Sequence, residues 1–251
     1  MSDRVAVVTG AGQGIGRAVA HRLATAGHRV VLVGRDHTKL DKVAAEITSE
    51  SLCVAADLTD PDEVLRVFSS IEETWGPATT LVANAGTSLA APVVETTDEQ
   101  WQQMLESNLT APFRCIRRVL PSMIESGHGR IVVIASVAAK RGERQVAAYS
   151  ASKHGVLGLV RAVAAEVARH GVTANAVCPG YVDTPMTDQT LEAMSGRLEI
   201  PVDEAGSILA RRQPIGRLVT ADEVALVVMA CIENGAINGQ GINVDGGAVQ
   251  S

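Results

Sequence analysis

Tyr149 and Lys153 form the pair of residues whose types and spacing point most clearly to chemistry. They lie four positions apart, so on a helix they would share one face and bring the ammonium near the phenol. A neighbouring cation lowers the pKa of a phenol from about 10 by one to three units, towards the range of a general acid or base. The chain has only two tyrosines, so this spacing is informative. The pair predicts proton transfer; the alternative is a surface Lys beside a core Tyr.

A glycine-rich segment near the N-terminus carries the second pattern. It reads TGAGQGIG over residues 9–16 and directly follows a short apolar run. Such glycines let the backbone turn sharply and approach a pyrophosphate, which binds at the N-terminus of the next helix. The spacing alone is a weak signal, and its position between a strand and a helix is what favours a dinucleotide. The alternative is a tight turn without a ligand.

The elements that must position these residues alternate along the whole chain. Predicted strands are nearly continuously apolar, which is typical of strands buried on both faces. The best-marked helix begins at Pro61, with Asp60 as N-cap, and ends before Gly76. The pattern predicts an α/β fold, a single Rossmann-type doubly wound parallel sheet of about seven strands with helices on both faces, as one domain over residues 1–251. Six of the strands are predicted over residues 4–9, 29–33, 52–56, 80–83, 130–135 and 172–178.

Composition and charge argue against several classes of function. The net charge is −6 and aromatic residues make up 2%, which disfavours a nucleic-acid partner. The cysteines are widely spaced and the histidines form no HxxxH motif, so we expect neither a metal site nor disulfides. The apolar runs are too short for a signal peptide or for a membrane span of about 20 residues. We therefore expect a cytoplasmic protein without a membrane partner.

Taken together, the motifs resemble those of the short-chain dehydrogenase/reductase family. The resemblance covers essentially the whole chain, and its motifs occur in the family's order and spacing. Much of the chain is also similar to 3-oxoacyl-[acyl-carrier-protein] reductases and polyketide ketoreductases. One departure is Ala83, where the family usually has Asn, and we expect little functional effect. The motifs are the glycine segment, Asn84-Ala85-Gly86, Asn108, Ser136, Tyr149, Lys153, Pro179-Gly180 and Asn243-Val244-Asp245-Gly246-Gly247.

The resemblance implies four catalytic residues. Tyr149 would be the general acid in reduction and the general base in oxidation. Lys153 would lower the pKa of Tyr149 and hold the nicotinamide ribose hydroxyls. Ser136 would donate a hydrogen bond to the substrate carbonyl oxygen, and Asn108 would hold a water in a proton relay behind Lys153. Read singly, Ser136 is a capping residue and Asn108 a helix-interior residue; the joint pattern favours the catalytic roles.

Cofactor choice depends on the end of the second predicted strand. An acidic residue there binds the ribose diol of NAD, whereas a nearby Arg accommodates the 2′-phosphate of NADP. By resemblance the acidic position is Gly34 and the next residue is Arg35, with Asp36 beyond it. The family's other basic signal is absent because residue 13 is Gln. We expect NADP(H), with NAD(H) and a solvated Arg35 as the alternative.

The resemblance also implies the residues that contact the cofactor. Asp57 matches the family's adenine-contacting Asp, and Val182 and Thr184 match the segment that contacts the carboxamide. The full set is Gly10, Gly12, Gln13, Gly14, Ile15, Gly16, Arg35, Asp57, Leu58, Asn84, Ala85, Gly86, Tyr149, Lys153, Pro179, Gly180, Val182 and Thr184.

The implied activity is NADPH-dependent reduction of a ketone or 3-oxoacyl thioester. One alternative is an NAD-dependent alcohol or 3-hydroxyacyl dehydrogenase that works oxidatively. A non-catalytic cofactor-binding protein is disfavoured because all four catalytic residues are present. A substrate lid is expected at about residues 185–214. In it Leu191, Met194 and Leu198 form one apolar helical face, which would cover the substrate or pack the lid onto the body.

Two surface features concern the form of the substrate. Lys140, Arg141 and Arg144 follow the strand that ends near Ser136, and they would meet the phosphates of coenzyme A or form a solvated loop. Gly127 and His170 stand where carrier-protein reductases often have docking arginines. Their identity favours a coenzyme A thioester or a free ketone.

A stripe of small residues concerns assembly. Ala151, Gly155, Gly158 and Ala162 would lie on one side of the helix that carries Tyr149. Small residues permit the close approach of another helix, which predicts a homotetramer or homodimer, as is common in the family. The alternative is that the stripe packs on the protein's own sheet.

Overall fold

The protein is built on a central parallel sheet. A computed structural model describes residues 4–250. Its strands in chain order are β1 (Val5–Thr9), β2 (Arg29–Gly34), β3 (Ser51–Ala55), β4 (Thr80–Ala83), β5 (Gly129–Ile134), β6 (Val172–Pro179), β7 (Val182–Asp183), β8 (Val219–Thr220) and β9 (Gly241–Val244). Within the described range, seven of them pair in parallel in the order β3-β2-β1-β4-β5-β6-β9, and β7 pairs separately with β8.

Strand β1 shows why these runs of residues are apolar throughout. All five of its residues are buried. Because side chains alternate between the two faces of a strand, Val5 and Val7 join one hydrophobic core while Ala6 and Val8 join the other. A strand with a core on each face has no place for exposed polar residues, and this is the arrangement typical of parallel sheets.

Helices cover both faces of the sheet. They are α1 (Gly14–Thr25), α2 (His37–Glu46), α3 (Pro61–Trp75), α4 (Asp98–Leu105), α5 (Ala111–Ser126), α6 (Ala147–Val167), α7 (Pro185–Leu198), α8 (Val202–Arg211) and α9 (Ala221–Glu233). Buried residues of α1, α2 and α9 belong to one core, and those of α3, α5 and α6 belong to the other. The predicted doubly wound sheet is therefore confirmed. Between residues 4 and 250, no helix combines the length and apolarity needed to cross a membrane.

The sequence predictions locate most of this sheet. The six predicted strands are confirmed as β1 to β6, with each end within one residue of its predicted position. Helix α3 begins as predicted, because the Asp60 side chain accepts a hydrogen bond of 2.8 Å from the backbone N–H of Asp62. The sequence analysis did not predict β9 or the short pair of β7 and β8.

The order of the strands creates the opening where a ligand can bind. Strands β1 and β4 are neighbours, but α1 packs on one face of the sheet while α5, the helix that precedes β5, packs on the other. The chain therefore leaves a crevice between these two strands at their carboxyl ends, which is the usual ligand position in open α/β sheets.

The small-residue stripe lies on the outer side of α6. Gly158 and Ala162 are exposed and Ala151 and Gly155 are half-buried, whereas the sheet-facing Val160 is fully buried. The alternative that this stripe packs on the protein's own sheet is therefore wrong.

Candidate active site

The glycine segment forms a tight turn at the carboxyl end of β1. Gly10 has a φ of +65°, a conformation that favours glycine. A Cβ atom placed on Gly16 would lie 2.2 Å from the carbonyl oxygen of Gly10 and 2.6 Å from Nδ2 of Asn84, so no side chain fits there. Gln13 is the N-cap of α1 but its side chain makes no capping hydrogen bond. The first N–H groups of α1 thus have no side-chain cap from the N-cap residue, and this geometry fits a dinucleotide pyrophosphate.

Asn84 joins the ends of β1 and β4. Its Nδ2 donates to the carbonyl oxygens of Thr9 at 2.9 Å and Gly10 at 3.1 Å. In return, the Thr9 hydroxyl oxygen accepts hydrogen bonds from the backbone N–H groups of Asn84 and Ala85. Asn84 therefore fixes the shape of the glycine turn.

Two adjoining clefts gather the predicted site residues. The larger, of about 460 Å³, is lined by Gly10, Gly12, Gln13, Gly14, Ile15, Arg35, Asp57, Leu58, Asn84, Ala85, Gly86 and Thr184, among others. The smaller, of about 110 Å³, is lined by Asn108, Ser136, Tyr149, Lys153, Pro179, Gly180 and Val182, and shares Ile15, Asn84, Gly86 and Thr184 with the larger. Gly16 lies outside both linings and packs beneath the turn. In the described part of the chain, no group of three or more His, Cys, Asp or Glu residues could hold a metal ion.

Ser136 leaves β5 and points into the smaller cleft. It is the N-cap of the short turn Val137–Ala139, and its Oγ accepts a hydrogen bond of 3.1 Å from the N–H of Ala138. This bond uses a lone pair of the hydroxyl and leaves its hydrogen available. The capping role considered for Ser136 is thus compatible with donation to a substrate oxygen.

Lys153 lies one turn after Tyr149 in α6, and its ammonium is buried. Its Nζ donates to the carbonyl oxygen of Ile134 at 2.9 Å and lies 5.6 Å from the centre of the Tyr149 ring. Burial lowers the pKa of Lys153 from 10.5 to about 8. The predicted juxtaposition of ammonium and phenol ring is therefore present.

The predicted electrostatic effect on Tyr149 is wrong for this structure. The pKa of Tyr149 is raised from its ordinary value of 10, mainly because burial disfavours the phenolate, while a hydrogen bond with Ser136 acts in the opposite direction. Lys153 lies beside the ring, and burial disfavours its own charged form. The phenol is consequently held in its protonated form.

Asn108 lies behind the catalytic pair in the π-helical turn Glu106–Thr110. Its side chain is buried, accepts from the N–H of Thr87 at 3.0 Å, and donates to the Thr87 carbonyl at 3.0 Å and to Ser152 Oγ at 3.3 Å. A Cβ on Gly86 would lie 2.5 Å from Asn108 Oδ1 and 3.7 Å from Lys153 Nζ. The side chain holds the loop after β4, and the water-relay role stays a prediction.

The acidic residues near the end of β2 and β3 are held by local hydrogen bonds. Asp36 is the N-cap of α2, and its Oδ1 accepts from the N–H of Lys39 at 3.2 Å. Asp57 Oδ1 accepts from the backbone and hydroxyl of Thr59 at 3.0 and 2.7 Å, and these bonds lower the pKa of Asp57. Arg35 is exposed beside them.

Gln213 is a site-positioning residue that the sequence analysis missed. Its side chain is 1% exposed. Its Oε1 accepts from the N–H of Tyr181 at 3.0 Å, and its Nε2 donates to the carbonyl oxygens of Tyr181 at 3.1 Å and Arg217 at 2.7 Å. Gln213 thus fixes the turn that carries Gly180 and Val182 into the smaller cleft. No local pattern in the sequence shows that Gln213 is buried.

The apolar face expected to cover the substrate is buried inside the lid instead. Leu191 and Met194 of α7 pack with Ala205 and Leu209 of α8, whereas Leu198 is 47% exposed. The interpretation of this face as a substrate cover is therefore wrong. The residue of α7 that reaches both clefts is Met186, which the sequence analysis did not single out.

Two of the three basic residues after β5 are bound within the protein. Lys140 Nζ donates to the carbonyl oxygen of Gly241 at 2.6 Å. Arg141 donates to Glu143 at 2.7 Å and to the carbonyl of Ala248 at 3.0 Å. Only Arg144 of the three is exposed. The hypothesis that all three meet the phosphates of coenzyme A is therefore wrong.

Comparison with known proteins connects this geometry to a family. The family model for short chain dehydrogenase matches residues 4–195. The chain is 40% identical to a Streptomyces coelicolor protein named as a ketoacyl reductase, over 98% of this chain and 97% of the relative. It is 38% identical to the 3-oxoacyl-[acyl-carrier-protein] reductase MabA of Mycobacterium tuberculosis, over 98% of this chain and 92% of the relative.

A solved structure shows the same likeness. A variant of actinorhodin polyketide ketoreductase, crystallised with NADPH, superposes with a TM-score of 0.92 at 40% identity, covering 98% of this chain and 97% of that one. The match extends over both clefts and the sheet that positions them. The chain belongs to the short-chain dehydrogenase/reductase family.

Proposed function

We propose that the protein is an NADPH-dependent carbonyl reductase that converts a ketone or 3-oxoacyl thioester to the corresponding hydroxy compound. The observation that carries this proposal is the meeting of Ser136, Tyr149 and Lys153 in a cleft that continues into the glycine-lined cleft. The family membership and the reductase names of the similar proteins support it.

The larger cleft has the features that the cofactor requires. It offers a glycine-rich turn at the N-terminus of α1 for the pyrophosphate, and the exposed Arg35 for a 2′-phosphate. NADPH, when bound, supplies a hydride to the carbonyl carbon of the substrate. The remaining predicted contacts would come from Asp57 and Leu58 towards the adenine and from Val182 and Thr184 towards the carboxamide.

Ser136 and Tyr149 would act on the substrate oxygen. Negative charge develops on that oxygen during reduction, and the Ser136 hydroxyl would donate a hydrogen bond to it. The phenol of Tyr149 is protonated at neutral pH and would give its proton to the same oxygen. Lys153, held by the carbonyl of Ile134, would bind the ribose hydroxyls beside it.

The smaller cleft suggests a substrate of medium size. Besides the catalytic residues it is lined by Ile15, Thr87, Met186 and Thr187. Met186 is 41% exposed, and a flexible methionine at the mouth can adapt to different chains. We favour a free ketone or a coenzyme A thioester over a carrier-bound substrate, because Gly127 and His170 replace the arginines expected for docking.

A steady-state assay over a panel of substrates tests this function. Ketones and matched 3-oxoacyl thioesters, on coenzyme A or on a carrier protein, are assayed with NADPH and with NADH. We expect the highest kcat/KM with NADPH and a ketone or coenzyme A thioester. Higher kcat/KM in the oxidative direction with NAD would support the dehydrogenase alternative instead. Absence of turnover with cofactor still bound would support a non-catalytic protein.

We also propose that the protein is a homo-oligomer, a tetramer or a dimer, that works in the cytoplasm. The exposed small residues Gly158 and Ala162 support close packing of α6 against a second copy. The four cysteines are free thiols, which is compatible with a reducing compartment. Sedimentation of the reduced protein tests the assembly. Loss of the oligomer under reducing conditions would contradict both the proposed oligomer and its proposed location in the cytoplasm.

A further inference from the structure

The part of the larger cleft nearest to β2 contains a second cation besides Arg35. Lys39, in the first turn of α2, lines this cleft together with Arg35, Gln13 and Asp57. Its Nζ donates a hydrogen bond of 3.0 Å to Oε1 of Gln13, the residue in the glycine segment that replaces the family's basic side chain. The ammonium therefore stands at the glycine turn, although it comes from another element.

The position of Lys39 is fixed by the backbone and by packing. The backbone N–H of Lys39 donates to the Asp36 side chain at 3.2 Å, which holds this residue in the first turn of α2. A Cβ atom on Gly12 would lie 2.9 Å from the Cβ of Lys39, so the lysine stem rests directly on the glycine segment. The absence of a side chain at Gly12 is what allows this contact.

The charges in this part of the cleft require more than one cation. Asp36 and Asp57 also line it, and the charge of Arg35 contributes to lowering the pKa of Asp57. Arg35 alone would face two carboxylates, which would repel a phosphate monoester carrying about two negative charges at neutral pH. With Lys39 present, the two carboxylates are balanced by two cations before a phosphate enters.

We propose that Lys39 binds the ribose 2′-phosphate of NADPH together with Arg35, and so supplies from α2 the positive charge that position 13 of the glycine segment lacks. An ammonium has three N–H donors, and Gln13 accepts from one of them. The others remain for the phosphate, and Gln13 acts as a positioning residue for the ammonium. This inference rests on the proposed use of NADPH.

Dissociation constants for NADPH and NADH, measured by the fluorescence of the reduced nicotinamide, test this inference without an activity assay. The variants are Lys39→Met and Lys42→Met; Lys42 is exposed on the next turn of α2 and outside the lining of the cleft. We expect Lys39→Met to weaken NADPH binding about tenfold and NADH binding less than twofold, because only NADPH carries the 2′-phosphate. Lys42→Met should change both constants less than twofold.

A second variant distinguishes charge from structure. Gln13→Arg, added to Lys39→Met, should restore most of the preference for NADPH because it returns a cation to the glycine segment. Equal weakening of both cofactors by Lys39→Met would show a structural role and overturn the inference. An unchanged preference in Lys39→Met would also overturn it, while leaving the proposed function intact. Equal binding of both cofactors by the wild type would overturn the proposed cofactor preference itself.

Discussion

Lys153 is placed where its charge opposes folding. Its side chain is 6% exposed, and in the described structure its Nζ has the carbonyl oxygen of Ile134 as hydrogen-bond acceptor. Burial without a paired carboxylate lowers the pKa of Lys153 to about 8. At neutral pH, where Lys153 is protonated, its buried charge therefore lowers the free energy of unfolding. Such a position is understandable if the ammonium is required for binding and catalysis.

Lys153→Met should abolish turnover and increase the free energy of unfolding at pH 7 by about 1–3 kcal/mol. The folded wild type binds fewer protons at Lys153 than the unfolded chain between pH 8 and 10.5, so its stability rises with pH across that window. The variant lacks this contribution, and the difference between the two proteins should shrink towards pH 10.5. Urea denaturation at several pH values measures it.

A variant less stable than the wild type at pH 7 would contradict this interpretation of Lys153. So would a stability difference that stays constant from pH 7 to 10.5, since the buried charge would then not be its cause.

At the scale of elements, the glycine turn and α1 hold their geometry because Gly16 has no side chain. Gly16→Ala would place a Cβ 2.2 Å from the carbonyl oxygen of Gly10, and backbone atoms would have to move. We expect at least a tenfold rise in the NADPH dissociation constant and a lower free energy of unfolding. The control is Gly196→Ala in α7, where an added Cβ has open space. It should be neutral or stabilise slightly, by about 0.4–1 kcal/mol. Equal behaviour of the two variants would contradict the account of the turn.

The turn after β6 depends in the same way on the Gln213 side chain. Gln213→Leu leaves the backbone N–H of Tyr181 and the carbonyl oxygen of Arg217 without the hydrogen bonds of Gln213, whereas the Tyr181 carbonyl keeps the N–H of Val219. This should cost about 1–3 kcal/mol of stability and weaken NADPH binding, because the turn carries Gly180 and Val182. Chemical denaturation and fluorescence titration measure both effects. The matched Gln102→Leu, at an exposed position of α4, should lie within about 0.5 kcal/mol of the wild type. Similar results for both variants would contradict the positioning role of Gln213.

The sequence predicts features that depend on neighbouring residues, and it misses features that depend on contacts between distant parts of the chain. Strands β1 to β6 were found because burial on both faces leaves a continuous apolar run. Strand β9 was missed because its four residues are only half-buried. The prediction that the apolar face of α7 covers the substrate was wrong for another reason. Helical periodicity identifies that face, but it does not show that α8 packs against it.

The site shows the same limit. Motif order identified the residues that line the clefts, but the four-residue spacing of Tyr149 and Lys153 said nothing about their burial, which controls both pKa values. Lys39 and Gln213 make contacts with residues 26 and 32 positions away. Contacts of that separation require the fold itself.

At the scale of the whole molecule, the outer face of α6 presents an open surface. An added side chain at Gly158 meets no atom within 4 Å. If a second copy packs there, Gly158→Arg should reduce the mass measured by sedimentation without altering the fold. Gly196→Arg, at a similarly open position of α7, should keep the wild-type mass. A monomeric wild type, or an unchanged mass for Gly158→Arg, would contradict the proposed assembly.

The central claim is that Tyr149 donates the proton during carbonyl reduction. The most direct measurement compares wild type and Tyr149→Phe for NADPH binding and for kcat with the carbonyl substrate that the wild type reduces best. Removal of the hydroxyl keeps the ring and the shape of the cleft, so the NADPH dissociation constant should change less than twofold. The kcat should fall by at least about 10² to 10⁴, the usual contribution of a general acid. A Tyr149→Phe enzyme that keeps a third of the wild-type kcat would contradict the account.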